Sequence, residues 1–180
     1  FIIMFSNCSF FQNTSKKNSG GAVSIGNKVD TLSAAFYECI FSNNDAFGYG
    51  GGIDILQNDG SHIDLNIDRC TFTHNTASGQ VSGAISVNGY AGSPMKHQST
   101  ISNTLFANNT GALFYSTGPP GAFDVDVYNC TFFKNGPHPI LKYWSTNFND
   151  STFYIKMRLQ NSILWEPGAI SVPSCDLPVC

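Results

Sequence analysis

The stretch Ile67-Asp68-Arg69-Cys70-Thr71-Phe72-Thr73-His74-Asn75 decides the fold, because its pattern apolar-x-x-Cys-x-Phe-x-x-Asn recurs along the chain. Further copies begin at Phe5, Phe36, Ile101, Val127 and Leu159. Thr104 and Ser162 replace the Cys in two of them, and the last copy is shortened. The Cys-equivalent positions are 31, 31, 34, 26 and 32 residues apart, so the period is roughly 31 residues. A fixed period of this size predicts a solenoid whose units bury their apolar faces on one another.

Each repeat contains two further segments that predict β-strands. One is a motif of Gly, then Ala or Gly, then Ile or Val, as in the stretch from Gly51 to Ile55. The other is an alternating segment, as in Ile63-x-Leu65-x-Ile67. Alternation with period two in β-branched residues is the signature of a half-buried strand, and no window has the apolar spacing of an amphipathic helix. We therefore predict three short strands per repeat.

The parity of the apolar residues locates the corners. Successive residues of a strand face opposite sides, so Ile67 and Cys70 cannot both point inward from one straight strand. Asp68-Arg69 must therefore form a corner. A second turn is expected at Asn75. The pattern predicts an all-β protein, a right-handed parallel β-helix of five to six turns over residues 1–172, followed by a Pro- and Cys-rich tail over residues 173–180. A β-propeller needs longer repeats with four strands, and a leucine-rich repeat needs more Leu.

Stacking equivalent residues about 4.7–4.9 Å apart predicts two columns of like residues along the axis. The first is an asparagine ladder of Asn13, Asn44, Asn75, Asn109 and Asn135. The second is a ladder of buried cysteines that pack as small hydrophobic side chains, Cys8, Cys39, Cys70 and Cys130, with a Cys8–Cys39 or Cys39–Cys70 disulfide as the alternative. In the tail, Cys175 and Cys180 have the spacing of a small disulfide loop.

The composition bears on partners and compartment. Nine basic and twelve acidic residues among 180 give a net charge of −3. This balance predicts no basic surface that would bind nucleic acid or anionic lipid. No apolar run reaches the length of a membrane span, so no membrane insertion is expected. Phe1–Phe5 is expected to be the last strand of a turn whose beginning is missing, as in a processed or partial chain. A surface rich in uncharged polar residues favours an extracellular or cell-surface location.

Five Asn-x-Ser/Thr sequons are candidates for covalent glycans, and we expect no other cofactor. Asn7 and Asn129 are expected at an outward corner and Asn149 in a loop; Asn108 is a further candidate. Asn13 is the least suited, because it belongs to the asparagine ladder.

The Gly20-Gly21-Ala22-Val23 and Gly83-Ala84-Ile85 motifs, with Phe41-x-x-Asn44 and Phe72-x-x-Asn75, resemble the repeats of the chlamydial polymorphic outer-membrane proteins. The resemblance spans about residues 1–172. It implies a β-helical, surface-exposed adhesin. Members of that family are exported as autotransporter passengers, and in this sequence we expect no C-terminal membrane barrel.

Outward-facing charged residues are the candidates for an enzymatic site. Many polysaccharide lyases and hydrolases are β-helices, and Asp64, Asp124 and Asp126 with Arg158 would be the candidate Ca²⁺ ligands and base of a lyase. Asp124 opposite Lys156, and Asp126 opposite Arg158, instead predict ion pairs between neighbouring strands. The four His residues occupy unrelated repeat positions, so no enzyme and no metal site is expected.

The ends of the solenoid suggest a function. Neither end carries a capping helix in the sequence, and two complementary uncapped ends form an interface that does not close. We therefore expect a non-enzymatic extracellular protein that self-associates end to end into a glycosylated filament or coat. The alternatives are a monomeric adhesin module of a larger surface protein, binding host or environmental glycans or proteins, and a polysaccharide lyase or hydrolase.

Overall fold

The computed structural model describes residues 1–27, 31–57, 61–78, 82–89, 95–117, 121–136, 141–145, 154–165 and 170–171. Throughout these residues the regular secondary structure is β-strand, arranged as a parallel solenoid. The fold predicted from the repeats is confirmed.

The strands of the first three repeats are β1 (Ile2–Ser6), β2 (Ser9–Phe11), β3 (Thr14–Ser15), β4 (Val23–Asn27), β5 (Thr31–Tyr37), β6 (Ile40–Ser42), β7 (Asp45–Ala46), β8 (Ile53–Gln57), β9 (His62–Asp68), β10 (Thr71–Thr73), β11 (Thr76–Ala77) and β12 (Ile85–Gly89). The later strands are β13 (Met95–Ser102), β14 (Leu105–Ala107), β15 (Leu113–Thr117), β16 (Gly121–Tyr128), β17 (Thr131–Phe133), β18 (Leu141–Ser145), β19 (Tyr154–Gln160), β20 (Ile163–Trp165) and β21 (Ile170–Ser171).

Three parallel sheets are six strands deep. We call them sheet A (β1-β5-β9-β13-β16-β19), sheet B (β2-β6-β10-β14-β17-β20) and sheet D (β4-β8-β12-β15-β18-β21). A small sheet C joins β3, β7 and β11, so the first three repeats have four strands rather than the predicted three. In the shorter repeat that begins at Ile101, Gly111 follows Asn109 after one residue and leaves no length for this extra strand.

The corners on either side of sheet B depend on residues in the left-handed conformation, with φ between 50° and 57°. The first corner column contains Asn7, Glu38, Arg69, Asn103, Asn129 and Asn161; the second contains Gln12, Asn43, His74, Asn108 and Lys134. The corner expected at Asp68-Arg69 is present. The second turn is centred one residue before the ladder asparagine rather than on it, since the asparagine itself points into the interior. Asn is frequent in both columns because it tolerates positive φ better than most residues.

Stacked phenylalanines form the centre of the core. The rings of Phe10, Phe41, Phe72, Phe106 and Phe132 stack with centroid separations of 4.6, 4.6, 5.1 and 4.9 Å. These separations match the distance between hydrogen-bonded strands, so the backbone register imposes the aromatic stack. Leu164 continues the column in β20.

The glycine motif is required because the backbone that leads into sheet D packs directly on the backbone that follows the second corner. A Cβ at Gly83 would lie 2.0 Å from the carbonyl oxygen of Asn75, and one at Gly51 would lie 2.2 Å from that of Thr76. These contacts are with backbone, so a side chain at either position would force two neighbouring turns apart.

Candidate functional sites on the solenoid

The asparagine ladder forms a continuous hydrogen-bonded column. Asn75 Oδ1 accepts the backbone N–H and the side-chain amide of Asn44, at 3.1 and 2.9 Å. The Asn75 amide donates to the Phe41 carbonyl and to Asn109 Oδ1, at 2.9 and 3.0 Å. The same pattern links Asn13 to Asn44 and Asn109 to Asn135. The column therefore has a direction, since each turn donates to the oxygen of the next.

The cysteine column is built from free thiols. Cys39, Cys70 and Cys130 are buried and Cys8 is half-buried, and none of these four is in a disulfide. The Cys70 sulfur accepts the N–H of Cys39 at 3.4 Å and lies 3.4 Å from the carbonyl oxygen of Asp68. Burial raises the pKa of the Cys70 thiol to about 11, which makes it unreactive near neutral pH.

Thr104 and Ser162 show what this position requires. Thr104 Oγ1 accepts the N–H of Cys70 at 3.2 Å and donates to the carbonyl of Ser102 at 2.7 Å. Ser162 Oγ makes both contacts two turns later, with the N–H of Cys130 and the carbonyl of Gln160. The position therefore selects a short side chain that both accepts and donates a hydrogen bond, a role that the view of the cysteines as small hydrophobes misses.

Arg158 is the centre of the charged cluster on the outer face of sheet A. Its guanidinium pairs with Asp126 and lies 3.1 Å from Asp124 Oδ1. Lys156 is in register with Asp124, but it is exposed and the carboxylate contacts Arg158 instead. The expected Asp124–Lys156 pair is therefore corrected to an arginine shared by two aspartates, because the planar guanidinium presents several donors at once.

This pairing bears on the lyase alternative. Hydrogen bonding to Arg158 holds the pKa of Asp126 below its ordinary value, and the same bond raises the pKa of Arg158. An arginine that is held protonated is a poor general base, and two carboxylates that share one cation are poorly placed to share a Ca²⁺ ion. Within the described ranges, no group of three His, Cys, Asp or Glu side chains is arranged to hold a metal ion.

Asp54 is a buried acid that the sequence analysis did not identify. It lies in β8 between Ile53 and Ile55, at an outward position, yet only 2% of its surface is exposed. Asn88 Nδ2 donates to its Oδ1 at 2.8 Å, and Ser86 also hydrogen-bonds to it. Burial outweighs these bonds and raises the pKa of Asp54 to about 7. Strand alternation alone would place this side chain in solvent, and no sequence motif marks it as covered.

His97 is a second buried titratable group. It is 2% exposed on the inward side of β13, beside the Ser99 hydroxyl and the Phe123 ring. Burial, followed by the nearby His62, lowers the pKa of His97 to about 3, so the imidazole is neutral near physiological pH. Its inward direction separates it from the Arg158 cluster on the outer face.

Three candidate sequons lie on accessible corners. Asn7 and Asn129 are exposed in the first corner column, and Asn108 is exposed in the second. Asn13 is bonded through its amide to Asn44. Asn149, and the expected Cys175–Cys180 loop, lie outside the described residues.

No family model, no curated protein and no solved structure matches this chain. The resemblance to the polymorphic outer-membrane-protein repeats therefore stays a prediction. Among the described residues, no helix has the length and hydrophobicity to cross a membrane.

Proposed function

We propose that the chain is a non-enzymatic structural protein of the cell surface or extracellular space, whose solenoids associate end to end into a glycosylated filament or coat. The observation that supports this proposal is the first turn, which has the side chains of an interior turn although strands β1 and β2 are each paired on one side only. Exposed asparagines at positions 7, 108 and 129 would carry the glycans.

The apolar side chains of the first turn are incompletely covered. Phe5 and Phe10 point inward and are half-buried, whereas the equivalent Phe36 and Phe41 of the next turn are 0% exposed. Phe1, Ile2 and Met4 are between 66% and 77% exposed. Covering one Phe side chain fully stabilises by about 1.5–3 kcal/mol, so a further turn stacked here would be favourable.

The backbone N–H and C=O groups of β1, and the side chain of Asn13, are also placed to hydrogen-bond to a further turn. Ser33 N–H donates to the Phe1 carbonyl and Asn7 N–H donates to Tyr37, so odd-numbered residues of β1 bond to β5. Ile2, Met4 and Ser6 therefore direct their N–H and C=O groups to the open side. Asn13 donates to Asn44, and its own Oδ1 occupies the position that accepts from a preceding turn elsewhere in the ladder.

A proline in β1 tests the proposal. Met4→Pro removes an N–H that faces the open edge and leaves the bonds to β5 in place. Sedimentation velocity over a concentration series should show larger species for the wild type and for Met4→Ala, and monomers for Met4→Pro. A wild-type chain that remains monomeric at all concentrations would overturn end-to-end association.

The adhesin-module alternative rests on the same edge, because further repeats of a longer polypeptide would fill it equally well. The two proposals differ in one result. If further repeats fill the edge, a polypeptide extended by them sediments as a monomer, whereas the 180-residue chain associates. Association of both chains favours the filament.

A further inference from the structure

We propose that the outer face of sheet B binds a neutral linear polysaccharide that lies along the solenoid axis. This inference goes beyond the proposed filament and does not depend on it. We call the face the sheet B strip. It consists of the first and third residues of six strands: Ser9, Phe11, Ile40, Ser42, Thr71, Thr73, Leu105, Ala107, Thr131, Phe133, Ile163 and Trp165.

The strip concentrates exposed apolar groups on one surface. Phe11, Ile40, Leu105, Ile163 and Trp165 are exposed by 57%, 47%, 37%, 58% and 69%. They account for half of the large exposed apolar side chains in the described part of the chain. Hydroxyl groups of Ser and Thr fill most of the positions between them. Along the strip, exposed apolar side chains therefore alternate with hydroxyls, as in the column Ile40, Thr71, Leu105 and Thr131.

The two corner columns form polar rims on either side of the strip, and all of their side chains are exposed. Seven of the eleven are amides: Asn7, Gln12, Asn43, Asn103, Asn108, Asn129 and Asn161. Four of these, Gln12, Asn43, Asn103 and Asn161, are outside the candidate sequons and would be free of glycans. In the first column, the cation Arg69 is 2.9 Å from Glu38 and 2.9 Å from Asp68, so its charge is neutralised locally. The strip itself contains no charged residue.

This combination matches the chemistry of a neutral sugar chain. The C–H faces of pyranose rings pack on apolar and aromatic side chains, and ring hydroxyls bond to amides that both donate and accept. The strip is uncharged, Arg69 is paired with acids, and the cation Lys134 lies over the Phe133 ring, so this face offers a polyanion or an anionic membrane little net positive charge. Because the strands are stacked in register, equivalent groups recur about every 4.8 Å, which suits a polymer with a short repeating unit.

The size of the strip argues against a folded protein as the ligand. Three residues across and six strands along give a face of about 10 by 24 Å, or on the order of 250 Å². A stable protein interface buries about 800 Å² on each partner. A single extended chain of about five sugar units, by contrast, covers the strip from end to end.

The test is affinity electrophoresis of the chain, produced without N-glycans, through gels that contain soluble β-glucan, mannan or xylan, with polygalacturonate as the charged comparison. Leu105→Glu places a charge at the centre of the strip. Gln98→Glu is its matched control, since it adds the same charge on the outer face of sheet A in the same turn. Trp165→Ala is a second strip variant that leaves the core intact.

We expect retardation by at least one neutral polymer, with affinity lowered about tenfold or more by Leu105→Glu, because a buried charge is left without a partner. Trp165→Ala should also weaken binding, and Gln98→Glu should behave as the wild type. Affinity for oligomers should increase with length up to about five units, when the strip is filled. Failure of all three neutral polymers to retard the wild type, stronger binding to polygalacturonate, or equal effects of Leu105→Glu and Gln98→Glu would overturn the proposal.

Discussion

Replacing Asp54 by Asn should stabilise the protein above neutral pH and leave its stability unchanged in acid. The pKa of Asp54 is raised by burial from 3.8 to about 7, a difference of about 3. Each pKa unit corresponds to 1.36 kcal/mol, so the folded state loses about 4 kcal/mol relative to the unfolded chain once this group is ionised in both.

The sign follows from proton binding. Between pH 4 and pH 7 the unfolded chain releases the Asp54 proton while the folded protein retains it, so the wild-type free energy of unfolding falls as pH rises through this interval. Below pH 4 both states are protonated and the penalty vanishes. Above pH 7 both are ionised and the penalty is constant. Asn has nearly the same shape, never ionises and still accepts the hydrogen bond from Asn88.

Urea unfolding at several pH values between 3.5 and 9 measures this difference. Asp54→Asn should exceed the wild type by up to about 4 kcal/mol at pH 8 and match it at pH 3.5. Asp64→Asn is the control, because the Asp64 side chain is 47% exposed and its 2.8 Å contact with His62 is screened by solvent, so the change should stay within about 1 kcal/mol at every pH. A variant that is no more stable than the wild type at pH 8, or a gain that does not change with pH, would refute the account of Asp54.

Three further predictions concern the two polar columns. Asn75→Ala should lower the free energy of unfolding by about 3 kcal/mol or more, because it leaves the buried N–H of Asn44 without an acceptor. Urea denaturation measures this loss, and a value below about 1 kcal/mol would contradict the stabilising role of the asparagine ladder. Cys70→Val should lower the free energy of unfolding by about 1–3 kcal/mol in the same assay. Cys70→Thr should lower it by less, since Thr accepts a hydrogen bond and Val does not. Equal losses for the two variants would contradict the need for an acceptor at this position. Mass spectrometry after brief alkylation of the native protein should find Cys8 modified before Cys70, and the opposite order would contradict their burial.

The columns were predictable from the residues because a solenoid converts a sequence period directly into spatial neighbours. Once Cys70, Phe72 and Asn75 recur every 31 residues or so, the backbone register leaves little freedom in what stacks on what. The first corner followed equally from parity, since Ile67 and Cys70 cannot face the same way on one straight strand.

The features that sequence reasoning missed depend on geometry between repeats. Which carboxylates Arg158 reaches is set by the length of its side chain across two strand positions, and a position-by-position pairing assigns it only Asp126. The burial of Asp54 is likewise a property of what covers sheet D. The hydrogen-bonding role of the cysteines was signalled by their replacement with Thr104 and Ser162, which apolar packing alone does not explain.

Electron microscopy of the natively purified protein in non-reducing buffer tests the central proposal, end-to-end association, most directly. Six stacked strands give each solenoid an axial length of about 24–29 Å. The account predicts fibrils with an axial repeat near this length, and their absence from the Met4→Pro variant. Single short particles in the wild-type preparation at high concentration would contradict it.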